Sequence, residues 1–158
     1  MSYEIKNEQH FHYLEVGEGE PLMLLHGLFG ALSNFSDLIE HFRDKYKVVV
    51  PILPLFDLDL LHTSVSGLAK HVHQFIEFKG YQNIHLLGNS LGGHVGLVHV
   101  LKHPEKIKSL TLTGSSGLFE SAMGDTYPKR GDYEYIRNKT ALTFYDPAMA
   151  TKELVDEV

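Results

Sequence analysis

Four short runs of the chain are rich in branched aliphatic residues: PLMLLH over Pro21–His26, KVVVPIL over Lys47–Leu53, NIHLL over Asn83–Leu87 and IKSLTLT over Ile107–Thr113. The first two, with no polar alternation, suit strands buried on both faces, and the other two read as further strands. Between them lie three stretches whose apolar residues recur every three or four positions, the spacing of a helix with one buried stripe. Ser33–Phe42 carries Phe35, Leu38, Ile39 and Phe42; Ser66–Phe78 carries Leu68, Val72, Phe75, Ile76 and Phe78; Leu91–Lys102 is the third. Ser33 or Asn34 is placed to cap the first helix, Gly80 to close the second, and His103-Pro104 to end the third. Pro51 cannot donate to a ladder, so it belongs near a strand end. Ahead of these elements, Tyr3–Lys6 and His10–Val16 read as a hairpin turning at Asn7-Glu8-Gln9. The order is hairpin, then β-α-β-α-β-α-β. It predicts an α/β fold: a mostly parallel, doubly wound sheet with an antiparallel N-terminal hairpin.

From Ser115 onward the texture becomes polar, tyrosine-rich and turn-rich. Two helices are expected there, over 132–143 and 147–158, the second capped by Asp146 with proline in its first turn. The expected division is a core over 1–116 and the start of a helical cap or lid over 117–158.

Composition narrows the classes. With 43% hydrophobic and 22% charged residues among 158, the chain is neither disordered nor fibrous. Its net charge is −6 and its basic residues are scattered, which argues against nucleic acid as a partner. Cysteine is absent, so disulfides, zinc-thiolate sites and cysteine nucleophiles are excluded. No apolar run approaches the ~20 residues that span a bilayer, and the first residues lack a leader pattern. A cytoplasmic protein acting on a small molecule, without a membrane partner, is the expectation.

The candidate chemistry lies in 84-IHLLGNSLGGHVGLVHV-100. Gly88-Asn89-Ser90-Leu91-Gly92 fits G-x-S-x-G between an expected strand and an expected helix. A direct strand-to-helix reversal forces its central residue to positive φ. Side chains at 88 and 92 would then meet neighbouring backbone, and Gly93 lets the helix approach the sheet. The Ser90 hydroxyl is left projecting. The Leu91 N–H, at a helix N-terminus, is a donor for a developing oxyanion. A second motif, His26-Gly27-Leu28-Phe29-Gly30, follows the PLMLLH strand.

On these two motifs the chain resembles the α/β-hydrolase superfamily. The resemblance implies that Ser90 is a nucleophile and that the Leu28 and Leu91 N–H groups form an oxyanion hole. It also implies that His26 and Gly27 support the loop, as Gly88, Gly92 and Gly93 support the elbow, with no metal or cofactor. As chemistry alone His26 could act as a base, but it stands at a buried strand end. GNSLGG together with LTGSSGL is similar to the meta-cleavage-product hydrolases, which cleave C–C bonds; HGLFG is nearer to small bacterial carboxylesterases. One departure is 51-PILPLFDLDLL-61, where many relatives carry acid, proline and glycine.

The other members of a triad should follow in the order acid, then histidine. Downstream of Ser90 the histidines are His94, His99 and His103, all on the helix that begins at the serine. His94 should neighbour the elbow one turn down, away from the hydroxyl. His99 and His103, at i and i+4, could chelate a metal but lack a third ligand. Glu120 and Asp125 have no motif around them, Asp57 and Asp59 precede the serine, and Gly114-Ser115 carry no carboxylate where some relatives place the acid. The expectation is therefore the N-terminal part of a longer serine hydrolase for small to medium carboxylic esters. As a whole molecule, 158 residues should show little turnover. Ile107–Thr113 should form an apolar edge, free to pair in a dimer or to be covered by a further C-terminal part. The alternatives are a C–C bond hydrolase of meta-cleavage type and a non-catalytic hydrolase-like binding module.

Overall fold

A computed structural model describes residues 3–28, 32–55, 64–118, 132–142 and 144–157. At its centre is β3 (Pro21–Leu25), buried at all five positions. Parallel to it on one side lies β4 (Lys47–Pro51), and on the other β5 (Ile84–Asn89), which pairs in turn with β6 (Ile107–Thr113). Two antiparallel strands, β1 (Lys6–Glu8) and β2 (Phe11–Val16), extend the sheet beyond β4, giving the order β1-β2-β4-β3-β5-β6. The mostly parallel α/β sheet with its N-terminal hairpin is as expected. β6 lies at its edge among the described residues.

Successive residues of β3 serve opposite faces, as strand geometry requires. Leu22 and Leu24 pack with Phe35 and Ile39 under α1 (Ser36–Phe42). Met23 and Leu25 pack with Val72 and Phe75 of α2 (Val65–Lys79) and Val95 of α3 (Leu91–Lys102). Each such fully buried side chain contributes roughly 1.5–3 kcal/mol. Ser64 accepts a hydrogen bond from the Gly67 N–H at 3.0 Å to begin α2, and Gly80 ends it at φ 66°.

Three boundaries differ from the sequence reading. The hairpin is displaced: Glu8 pairs with Phe11, so the turn is Gln9-His10, with Gln9 at φ 54°. Burial of Phe11 and Tyr13 sets that register, while β1 is exposed throughout and specifies nothing. A 3₁₀ turn over Leu32–Phe35 takes in both expected capping positions, 33 and 34, and sets the N-cap of α1 at Phe35, without a side-chain bond. The single helix expected over 147–158 is broken. Asp146 caps only a 3₁₀ turn, Pro147–Met149, accepting from the Ala148 N–H at 2.9 Å. Ala150 then leaves helical geometry, and Thr151 Oγ1 accepts from the Leu154 N–H at 3.3 Å as α5 (Lys152–Glu157) begins.

The chain divides into two compact units, Met1–Glu120 and Ser121–Val158. The second contains α4 (Tyr133–Ala141), begun by Asp132 accepting from the Tyr135 N–H at 3.0 Å, and α5, joined to it by Tyr133 Oη donating to Asp156 at 3.2 Å. No helix of the described residues is long and apolar enough to cross a membrane.

Candidate active site

β5 ends at Asn89 and α3 begins at Leu91, so the whole reversal falls on Ser90, at φ 53° and ψ −120°. A residue with a Cβ occupies that region at a cost of about 1–3 kcal/mol and stays there only where its surroundings over-determine it. Here they do. The Ser90 N–H donates to the Thr113 carbonyl at 3.1 Å, and the Ser90 carbonyl accepts from the N–H groups of Gly93 (3.1 Å), His94 (3.3 Å) and Ser116 (3.3 Å). The side chain makes no cap bond, and the residue is exposed.

The glycines are demanded by contact. A Cβ on Gly88 would lie 2.5 Å from the Gly92 carbonyl oxygen, and one on Gly92 2.1 Å from that of Leu25. At Gly93 it would lie 2.5 Å from Ser115 Oγ, and at Gly27 3.1 Å from Ser90 Cβ and 3.5 Å from Ser90 Oγ. The loop after β3 thus runs directly beside the serine.

His26 holds that loop. Its Nε2 accepts from the Leu53 N–H at 3.0 Å, so the proton resides on Nδ1, which donates to the Gly27 carbonyl at 2.9 Å. Burial lowers its pKa below the usual histidine value, against the opposing effect of the Gly27 carbonyl. With both ring nitrogens engaged, it is a tie between the loops after β3 and β4 and has no lone pair left for a proton in transit. The Leu91 N–H, first in α3, has no carbonyl four residues back within the helix. Neither it nor the Leu28 N–H has a partner among the described residues. Leu28 is 48% exposed.

His94 packs its ring where a Cβ of Gly117 would stand, 2.4 Å from Cδ2. His99 is buried; burial first, then His103 and His73, bring its pKa down to about 4. A third histidine does join the i, i+4 pair: His73 of α2 stacks on His103 at 3.8 Å between ring centroids. Even so, among the described residues no group of three His, Asp or Glu is arranged to hold a metal. Phe29, Gly30, Asp57, Asp59, Glu120 and Asp125 lie outside the described residues. Among the described ones, no carboxylate or imidazole bonds Ser90 Oγ.

Sequence reasoning missed the contribution of the turn after β6. Asn89 Nδ2 donates to Thr113 O and Oγ1, both at 3.1 Å, and Ser116 reaches back to Ser90. The Asn89–Thr113 pairing of β5 with β6 places these groups together, and no local pattern announces it.

The profile of the alpha/beta hydrolase fold family matches residues 20–147. A 2-hydroxy-6-oxo-6-phenylhexa-2,4-dienoate hydrolase of Comamonas testosteroni is 31% identical over 163 residues, 91% of this chain and 57% of that protein. Lipase 1 of Psychrobacter immobilis is 31% identical over 118 residues, 70% of this chain and 37% of its own. Among solved structures, MGS-MChE2, an alpha/beta hydrolase enzyme from the metagenome of sediments of the lagoon of Mar Chica, Morocco, is 52% identical with a TM-score of 0.71, over 74% of this chain and 54% of that one. The chain therefore spans 57% and 37% of the two curated relatives' own lengths.

Proposed function

Because this chain belongs to the α/β-hydrolase fold family, we propose that it supplies the nucleophile and oxyanion donors of a serine hydrolase acting on small to medium carboxylic esters. The observation that carries this reading is the state of Ser90. It is exposed, uncapped and held at positive φ between two strand ends, with the Gly27 loop against it. Ser90 Oγ attacks the ester carbonyl carbon, and its proton passes to a histidine that follows the serine in the family's triad order and is not among His94, His99 and His103. The Leu28 and Leu91 N–H groups bind the oxyanion. Collapse of the tetrahedral intermediate expels the alcohol, and water then hydrolyses the acyl-enzyme. Leu28 and Leu118, 48% and 64% exposed, offer an apolar approach that favours a partly apolar substrate. Residues 117–158 would begin the cap of such an enzyme.

The test is covalent labelling with a fluorophosphonate, followed by mass mapping. The adduct should sit on Ser90 and vanish in Ser90→Ala; an adduct elsewhere refutes the reading. A second reading, hydrolysis of a C–C bond in a vinylogous diketone, is favoured by likeness to the dienoate hydrolase over 91% of the chain. Turnover of a coloured ring-fission product in preference to a p-nitrophenyl ester would select it.

A further inference from the structure

One carbonyl anchors two consecutive residues of the elbow. Thr113 O, at the end of β6, accepts from the Ser90 N–H at 3.1 Å and from Asn89 Nδ2 at 3.1 Å, which uses both of its lone pairs. The same amide group also reaches Thr113 Oγ1 at 3.1 Å. Three residues on, the Ser116 N–H returns to the Ser90 carbonyl at 3.3 Å. Ser90 is thus held on both sides by the β6 terminus, and Asn89 is the side chain that closes this hold. Without it, the peptide between 89 and 90 would rest on one backbone bond against the strain of a positive φ. A small rotation there carries Oγ with it, and displacement of a reacting atom by 1 Å can lower a rate about 100-fold.

We propose that Asn89 is a positioning residue: by clasping Thr113 it fixes the strained conformation of Ser90 and hence the place of its hydroxyl. The catalytic consequence rests on the proposed function above; the conformational part does not. Asn89→Asp and Asn89→Leu remove the donor. Thr113→Val removes one acceptor but leaves the carbonyl.

Two readouts decide the matter, labelling of Ser90 in a protein that also supplies the triad acid and histidine, and amide exchange on this chain. Fluorophosphonate labelling of Ser90 at pH 7.5 should slow at least tenfold in both Asn89 variants and less than threefold in Thr113→Val, with unfolding midpoints close to the parent's. Relative to the parent at the same pH, labelling of Asn89→Asp should recover in part toward pH 5, as the carboxyl regains a proton to donate. Amide exchange at Ser90 and Ser116 should quicken about tenfold in Asn89→Leu, while β3 amides keep their protection. Parent-like labelling and exchange in both Asn89 variants would overturn the proposal. So would a loss of labelling that merely tracks a falling midpoint, since that marks an ordinary stabilising bond. If Ser90 is never labelled even where the triad acid and histidine are supplied, the ester-hydrolase reading fails, and the exchange measurement on this chain still decides whether Asn89 holds the elbow.

Discussion

The close approach of α3 to the turn after β6 can be measured by crowding it. In Gly93→Ala the new Cβ stands 2.5 Å from Ser115 Oγ and 2.7 Å from Ser115 Cβ, about 0.5 and 0.3 Å inside the 3.0 Å limit of real contacts. Overpacking of this kind costs about 1–3 kcal/mol, and replacing a helical glycine returns up to ~1 kcal/mol. The net expectation is about 1–2 kcal/mol of destabilisation. Ser115→Gly alone loses the 2.8 Å bond from Ser115 Oγ to the Ser116 carbonyl and adds backbone freedom, about 1 kcal/mol. In the double variant the offending atoms are gone and the nearest remaining contact is the Gly88 carbonyl at 3.1 Å. It should therefore be more stable than the sum of the singles implies, by about 1–2 kcal/mol. Gly92→Ala has no such remedy: its Cβ would lie 2.1 Å from the Leu25 carbonyl, part of the central strand, and about 3 kcal/mol or more is expected. The chain has no tryptophan, so urea unfolding is followed by far-UV circular dichroism. With slopes of about 1–3 kcal/mol/M, midpoints should move by about 1 M. Additivity within about 0.5 kcal/mol, or a Gly92→Ala no worse than Gly93→Ala, would refute this account of the packing.

Gly27→Ala places a methyl group 3.1 Å from Ser90 Cβ, so the unfolding midpoint should shift little while Ser90 labelling slows severalfold; the two measured together test the contact. His26→Phe orphans the buried Leu53 N–H and should cost about 1–3 kcal/mol in urea unfolding. Burial, then the neighbouring His103 and His73, hold the His99 pKa at about 4 against the usual 6.5, so the folded chain disfavours its charged form. Stability from this group is complete above pH 6.5 and is lost as pH falls toward 4. The change is about 3 kcal/mol, and His99→Leu should flatten that window of the stability profile. For Glu15 burial opposes ionisation, yet hydrogen bonds from Tyr81 and Lys6 and the charge of Lys79 prevail and bring its pKa to about 2. Its contribution, about 3 kcal/mol, is present above pH 4.5 and lost as pH falls from there toward 2; Glu15→Gln should remove that slope from midpoints measured between pH 5 and 3.

Helix α3 and strand β6 follow the sequence reading residue for residue, Leu91–Lys102 and Ile107–Thr113. Each has a clear period or apolar run and a hard stop, in the reversal at Ser90, the His103-Pro104 pair and Gly114. The elbow glycines were legible for the same reason, since a positive φ at 90 makes demands on positions only two or three residues away. The hairpin register and the continuity of the final helix were less legible. β1 has no buried side to fix its pairing, and the Thr151 hydroxyl competes locally for backbone donors.

Sequence alone therefore determined the kinds of element, their order and the local geometry of Ser90, because periodicity and dihedral strain act over a few neighbouring residues. Tertiary structure alone decided the order β1-β2-β4-β3-β5-β6, the tie from His26 to Leu53, the stacking of His73 on His103 and the clasp of Asn89 on Thr113. Those contacts join residues about 25 to 30 positions apart. They exist only once burial of the central strand has brought the strand ends into register, because the free energy that selects them belongs to the packed sheet and to none of its segments separately.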